Sequence, residues 1–135
     1  MNPYLLDTNI VSFFLRDYQP ALVERVTQAL ATETAAISVI TLAELRLGQA
    51  SLMAADKRRR VIDLVLTQVS VLPWTSAAAD IYGALKWQHK RQGTPIAEMD
   101  TQMAAHALAE KLILVTHNTR FFENVPGLQL EDWML

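Results

Sequence analysis

The sequence predicts an α/β protein in which a parallel sheet of about four to five strands carries helices on both faces. Short apolar runs with β-branched residues alternate with longer segments whose apolar residues recur at helical spacing. The chain has 135 residues, of which 51% are hydrophobic, so it is long and apolar enough to bury a core. No linker or repeat interrupts it, and we therefore expect a single domain over residues 1–135.

The first half of the chain begins this alternation. Residues 4–6 and the run from Ala35 to Ile40 are predicted strands. Ile10 to Leu15 is a predicted helix, and Pro20 suits the first position of a second one. A third helix is expected from Leu42 to about Ala54.

The second half continues it. One helix is predicted over residues 61–69, a second is capped by Ser76 and closed by Gly93, and a third opens at Asp100. The predicted strands of this half are residues 71–72, 112–115 and 128–130.

Composition and charge exclude several kinds of site. There is no cysteine, which excludes disulfides, thiolate metal sites and cysteine nucleophiles. The first residues do not resemble a secretory signal and charges interrupt every apolar stretch, so we expect a cytoplasmic protein without membrane contact. The net charge of −2 gives no global attraction for nucleic acid. RNA binding would therefore depend on a local basic patch or on metal ions.

Three acidic residues fall at predicted strand-to-helix junctions. Asp7 follows the first strand, Glu44 is expected in the first turn of the helix after the second, and Asp100 opens a later helix. Parallel sheets bind ligands beyond the carboxyl ends of their strands, so the three acids are expected at one edge. Clustered carboxylates resist ionising without a cation, and Mg²⁺ or Mn²⁺ prefers such oxygen ligands. A cation there would activate water for attack on a phosphodiester.

Each acid also has a structural interpretation. Asp7 and Asp100 could be helix N-caps, and Thr41-Leu-Ala-Glu44 has the pattern of a capping box. From the residues alone, three functions stay open: a metal-dependent ribonuclease, a phosphohydrolase of small molecules, and a non-catalytic binding module. The second lacks support, because the chain has no Gly-rich phosphate loop and carries Asn9 where covalent phosphatases have a second aspartate.

Several motifs occur in the order seen in one known family. They are Leu5–Asn9, Ser38–Leu45 with Gly48, Gly93–Asp100 leading into Met103–Leu108, Val115–Asn118 and Pro126–Trp133. In these motifs the chain resembles the VapC-type PIN-domain proteins, the toxins of bacterial toxin–antitoxin pairs. The resemblance implies a PIN-like three-layer α/β/α fold and an endoribonuclease that uses Mg²⁺ or Mn²⁺. It further implies that Asp7, Glu44 and Asp100 bind the metal and carry out catalysis.

The resemblance also implies partners and supporting residues. A co-encoded antitoxin would occupy a hydrophobic groove among the first helices, a homodimer is expected, and DNA would be contacted only through the antitoxin complex. Thr8, Asn9 and Thr116 match polar positions that support the site. Asn118 stands where many relatives have a fourth acid, which puts a second metal ion in doubt.

Some polar residues outside these motifs have two interpretations. Glu98, two residues before Asp100, could point to the same cavity or be solvated. The basic runs Lys57–Arg60 and Lys86, Lys90 and Arg91 could contact an RNA backbone or form solvated helix faces. The spacing of the three histidines fits no metal pair on a helix, and we predict none of them as a ligand.

Overall fold

The structure is a computed structural model that describes residues 3–135. Residues 1 and 2, which belong to the predicted domain, lie outside the described residues. Five strands form one parallel sheet: β1 (Tyr4–Leu6), β2 (Ala35–Ser38), β3 (Ser70–Leu72), β4 (Ile113–Val115) and β5 (Leu130–Glu131). Their order across the sheet is β3-β2-β1-β4-β5, so the first strand of the sequence lies at the centre. The predicted α/β class and its parallel sheet are confirmed.

Helices cover both faces of the sheet. Within residues 3–135 they are α1 (Thr8–Leu15), α2 (Pro20–Ala31), α3 (Val39–Ala50), α4 (Lys57–Gln68), α5 (Ser76–Arg91) and α6 (Glu98–Glu110), with a short 3₁₀ helix at Thr119–Phe122. None of them has the length and hydrophobicity that a membrane span requires.

Alternate residues of the strands feed two separate cores. Leu6, Ile37 and Val115 pack against residues of α1 to α4 on one face. Leu5 and Leu114 pack against α5 and α6 on the other. This follows from the two-residue period of a strand, which points neighbouring side chains to opposite faces. The central strand is thereby buried from both sides, and its carboxyl end is held firmly at the edge where Asp7 lies.

The junction between β2 and α3 differs from the prediction. The strand ends at Ser38 instead of Ile40, because the Ser38 hydroxyl accepts a hydrogen bond from the Ile40 N–H at 3.1 Å and caps the helix. Val39 and Ile40 belong to α3, which also ends at Ala50, before the predicted Ala54. An apolar run with β-branched residues cannot distinguish a strand from the first turn of a buried helix.

Two other helix starts were also placed wrongly. Thr75, and not Ser76, caps α5, since its hydroxyl accepts a hydrogen bond from Ala78 N–H at 3.2 Å. The helix that Asp100 was expected to open begins at Glu98 with Ala97 as N-cap, so Asp100 is its third residue. Gly93 closes α5 as predicted, with a φ of +69° that glycine adopts without strain.

Candidate active site

Asp7 is a buried carboxylate at the carboxyl end of the central strand. Its side chain is the N-cap of α1 and accepts a hydrogen bond from the Ile10 N–H at 2.8 Å, so the capping interpretation is confirmed for this acid. Thr116, at the end of β4, donates a second hydrogen bond to it and itself accepts one from the Asn118 N–H at 3.2 Å. These contacts hold the carboxylate in one orientation.

The pKa values of Asp7 and Asp100 are both raised. Burial is the main cause for Asp7, which is 5% exposed, and the nearby charge of Asp100 adds to it. Burial also raises the pKa of the half-buried Asp100. Two neighbouring carboxylates that both resist ionising form a candidate cation site, because a bound cation would lower the free energy of the ionised pair. The structure therefore brings these two predicted site residues together.

Asp100 has no capping role. Ala97 is the N-cap of α6, and Asp100 lies in the first turn of that helix. A carboxylate there interacts favourably with the helix dipole, but it satisfies no capping requirement. The structural interpretation of Asp100 as an N-cap was therefore wrong.

Glu44 lies apart from this pair. It is the sixth residue of α3, in the second turn and not the first, and its side chain is exposed. It lines a groove of about 290 Å³ between three helices, which we call the α1–α3–α4 groove. The groove is formed by Thr8, Ser12, Leu15, Arg16, Glu44, Leu45, Gly48, Leu52, Arg58, Val61 and Ile62.

The predicted capping box at Thr41 and Glu44 is absent. Because Ser38 caps α3, Thr41 lies inside the helix, where it is fully buried. Its hydroxyl forms a hydrogen bond with the Thr8 hydroxyl at 2.9 Å and another with the Met103 sulfur at 3.7 Å. Thr41 thus links three helices: α1, which follows Asp7; α3, which carries Glu44; and α6, which carries Asp100.

The donor chemistry of this site fits a hard divalent cation. Asp7 and Asp100 offer carboxylate oxygens, the ligand type that Mg²⁺ and Mn²⁺ prefer. Within residues 3–135, however, no three acidic, histidine or cysteine side chains already stand together as a ligand set. Two carboxylates are assembled, and a third would have to come from Glu44, whose exposed side chain is not restrained by burial.

The predicted supporting residues are Thr8, Asn9, Thr116 and Asn118, and their positions differ. Thr8 contacts Thr41, as described above, and Asn9 is exposed but donates its backbone N–H to Asp7. Asn118 is half-buried and precedes the 3₁₀ helix. Thr116 contacts Asp7 directly.

Glu98 is not brought together with the acid pair. Its two carboxylate oxygens accept hydrogen bonds from Tyr82 and Lys86 of α5. It therefore joins α6 to α5.

His106 is a buried residue whose role sequence reasoning did not anticipate. Its Nε2 lies 3.1 Å from the Pro73 carbonyl, which can only accept, so Nε2 carries the proton. Nδ1 then accepts a hydrogen bond from the Ser38 hydroxyl at 2.8 Å. Burial lowers the pKa of His106, consistent with this neutral form, although the Pro73 carbonyl and Glu110 act in the opposite direction. His106 therefore ties α6 to the start of α3 and to the turn before α5.

The sequence did contain a signal for this contact. Ser38 and His106 both lie in motifs that match the family pattern, yet neither is a candidate metal ligand. A serine immediately before a helix is a common N-cap, which points to its local role. Its long-range partner follows only from the parallel topology.

The chain is similar to known proteins over nearly its whole length. The sequence model described as PIN domain matches residues 4–128. The chain belongs to the PIN-domain family. This PIN domain is 36% identical to Ribonuclease VapC1 of Haemophilus influenzae (strain R2866), over 96% of this chain and 97% of that protein. It is also 36% identical to the tRNA(fMet)-specific endonuclease VapC of Shigella flexneri, over 98% and 99%.

Solved structures show the same similarity. The PIN domain superposes on the DNA-bound VapBC structure from Salmonella typhimurium with a TM-score of 0.87 and 32% identity, covering 98% of this chain and 99% of that one. VapBC-1 from nontypeable Haemophilus influenzae gives a TM-score of 0.83 and 34% identity, covering 98% of each chain. This PIN domain is thus a VapC-type ribonuclease toxin of a toxin–antitoxin system, as the sequence motifs predicted.

Proposed function

We propose that this chain, as a single cytoplasmic domain, is an endoribonuclease that requires Mg²⁺ or Mn²⁺ and binds it through Asp7, Glu44 and Asp100. The main support is the juxtaposition of Asp7 and Asp100, whose carboxylates interact and whose pKa values are both raised by burial. Asp7 alone caps a helix, and Asp100 meets no capping requirement of α6. The energetic cost of the ionised pair is offset when a cation occupies the site.

The chain's own residues prepare this site. When bound, the cation supplies a water of lowered pKa and neutralises charge on the phosphate. Asp7 is held by Ile10 and Thr116, so its carboxylate loses little rotational freedom when it becomes a ligand. Glu44 lies on the wall of the α1–α3–α4 groove, which is also lined by Thr8, the residue after Asp7, and Glu44 is the proposed third ligand.

We further propose that a single cation is held firmly in the free protein. Asn118, at the position of a fourth acid, can ligate through its amide oxygen but contributes no negative charge. A second cation would then bind only together with the RNA phosphate. Metal titration monitored by calorimetry, with and without substrate RNA, measures this difference, and two tight sites in the free protein would contradict it.

The test of the active site uses substitutions that keep the helix caps. Asparagine caps a helix about as well as aspartate, but it cannot supply the charge that the cation needs. We expect Asp7→Asn and Asp100→Asn each to lower Mg²⁺-dependent RNA cleavage by on the order of 100-fold or more. Asp17→Asn is the matched control, since Asp17 is exposed at a φ of +50° that asparagine tolerates. If both aspartate variants fold and cleave RNA at the wild-type rate, the assignment of Asp7 and Asp100 as metal ligands is wrong.

An antitoxin is the proposed protein partner. The α1–α3–α4 groove has an apolar wall of Leu15, Leu45 and Ile62, so it suits an apolar segment of a partner protein. The relatives in the solved structures are VapBC assemblies, some of them bound to DNA. We propose the same association here, with a homodimer of this chain and with DNA contacted through the antitoxin. Growth arrest on expression, relieved by co-expression of the gene product encoded next to it, tests the pairing.

A further inference from the structure

Trp87 is an exposed aromatic residue on α5 that nothing in the proposed active site uses. It is 62% exposed, although tryptophan is usually among the most buried of large side chains. Together with Gln88, Arg91 and Gln92 it lines a shallow surface pocket of about 380 Å³. We call these four residues the α5 platform. It combines a flat indole, a cation one helical turn further on, and two amides that can donate and accept hydrogen bonds.

The last turns of α5 are also a local concentration of positive charge. Lys86, Lys90 and Arg91 lie there, in a chain whose net charge is −2. Lys86 is paired with Glu98, whereas Lys90 and Arg91 take part in none of the ion pairs found within residues 3–135. Cations at a helix C-terminus are favoured by the helix dipole, which accounts for their presence. The dipole gives no reason for an exposed indole beside them.

The platform lies on the helix that contacts the first turn of α6, the turn that carries Asp100. Tyr82 and Lys86 of α5 both contact Glu98, and Asp100 follows two residues later in α6. Leu85 belongs to the core formed with α6, so Trp87, about 200° further around the helix, lies on the opposite side of α5. The platform therefore lies on the side of α5 that faces away from α6, within about two helical turns of Lys86, which contacts Glu98. An RNA strand that reaches Asp100 can pass over this end of α5.

We propose that the α5 platform is a binding site for an unpaired base of the RNA substrate, which stacks on the Trp87 indole. Lys90 and Arg91 contact the neighbouring phosphates, and Gln88 and Gln92 face the edge of the base. Proteins that read RNA commonly stack unpaired bases on aromatic rings, and an adjacent basic surface tracks the backbone. The inference rests on the proposed ribonuclease function and assigns part of its substrate selection to α5.

The experiment separates this site from the metal centre. Wild-type protein in EDTA binds a fluorescein-labelled single-stranded RNA of about twelve nucleotides, measured by fluorescence anisotropy. Without the cation, neither cleavage nor metal-bound phosphate contributes to the affinity. We expect Trp87→Ala to raise Kd by about 5- to 150-fold, the range measured for the loss of one base–aromatic stack. Trp87→Phe, which keeps an aromatic face, restores most of this loss.

Three further observations make the readout specific. Tyr18→Ala is the matched control, because Tyr18 is 61% exposed but lies in the connection between α1 and α2, and this variant should bind RNA like the wild type. RNA should also quench the fluorescence of the wild type more than that of Trp87→Phe, since a stacked base contacts the indole directly. The melting temperature of Trp87→Ala should match that of the wild type, because the ring is not part of a core.

The outcomes distinguish the proposals. If Trp87→Ala binds the RNA as tightly as the wild type, or if the wild type does not bind it, the platform assignment is wrong. If Trp87→Ala changes the sedimentation coefficient and leaves RNA affinity unchanged, the face is a protein interface and the assignment is equally wrong. Cleavage in Mg²⁺ is measured separately. Its absence in the wild type overturns the proposed function, whereas normal cleavage with no effect of Trp87 overturns only the platform.

Discussion

The contact between His106 and Ser38 offers a quantitative test of how the site is held together. His106→Phe replaces the imidazole with a ring of similar size that can form no hydrogen bond. It leaves the Pro73 carbonyl without its partner and deprives the Ser38 hydroxyl of its acceptor. The phenyl ring can still pack against Trp74, whose indole meets the His106 ring edge-on at 5.4 Å. The substitution therefore changes hydrogen bonding more than packing.

The expected cost follows from the two lost partners. A buried polar group left without its hydrogen bond costs about 1–3 kcal/mol, so His106→Phe should lower the free energy of unfolding by about 2–6 kcal/mol. A domain of this kind has a total stability of about 5–15 kcal/mol, so the variant should fold but melt at a clearly lower temperature. Ser38 keeps its bond from the Ile40 N–H, which places the expected loss toward the lower half of the range.

The assay is a double-mutant cycle in urea. Ser38→Ala, His106→Phe and the double variant are unfolded under the same conditions, and their free energies of unfolding are compared with the wild type. Because Ser38 and His106 contact each other, the cycle should give a coupling energy of about 0.5–3 kcal/mol. Arg60→Ala serves as control, since Arg60 is exposed and its loss should change stability by about 0.5 kcal/mol or less. Strictly additive effects of the two substitutions would refute the contact.

Three other predictions concern single groups. Burial raises the pKa of Asp7, so the ionised carboxylate destabilises the folded state, and Asp7→Asn in EDTA should melt above the wild type at neutral pH. This difference should vanish below about pH 4, where the Asp7 carboxyl is protonated in both the folded and the unfolded protein. Burial lowers the pKa of His106, so wild-type stability should fall as the pH drops below about 6.5, and His106→Phe should lose this part of the pH dependence in thermal unfolding. Arg59 donates hydrogen bonds to the carbonyls of Gln49 and Leu52 at 2.8 and 3.0 Å, so Arg59→Ala should lower the free energy of unfolding by about 1.5–3 kcal/mol. Arg60 is an exposed neighbour, and Arg60→Ala should not lower it. Equal urea midpoints for the two variants would contradict this prediction.

Most of the fold could be predicted from local patterns. The strand at residues 4–6, the helix beginning at Pro20 and the closure of α5 by Gly93 all follow from apolar spacing and from the backbone preferences of proline and glycine. The boundaries that were wrong lie where one apolar run contains both a strand end and a helix start, as at Ser38. There the hydrogen bond from the helix N-terminus to the capping side chain sets the boundary, and the spacing of apolar residues does not reveal that bond.

The candidate site was only partly predictable, for a different reason. Asp7 and Asp100 follow from the rule that parallel strands present their carboxyl ends at one edge, and the structure brings them together. The position of Glu44 in the second turn of α3 depends on where that helix begins, so an error of three residues placed it one turn too early. The Ser38–His106 and Thr8–Thr41 contacts join residues far apart in the chain, and no local pattern encodes them.

The central position of β1 sets the order in which the protein can become active during its own synthesis. Tyr4 pairs with Ile113, 109 positions later, so the first strand stays without its second neighbour until β4 has left the ribosome. Contacts of such long sequence separation also slow folding, because a large loop must close before they form. Asp100 and Thr116 are likewise made late, so Asp7 lacks at least one of these two companions on any nascent chain that ends before Thr116. The proposed nuclease site of this toxin therefore cannot form until residue 116 has been translated and has left the ribosome.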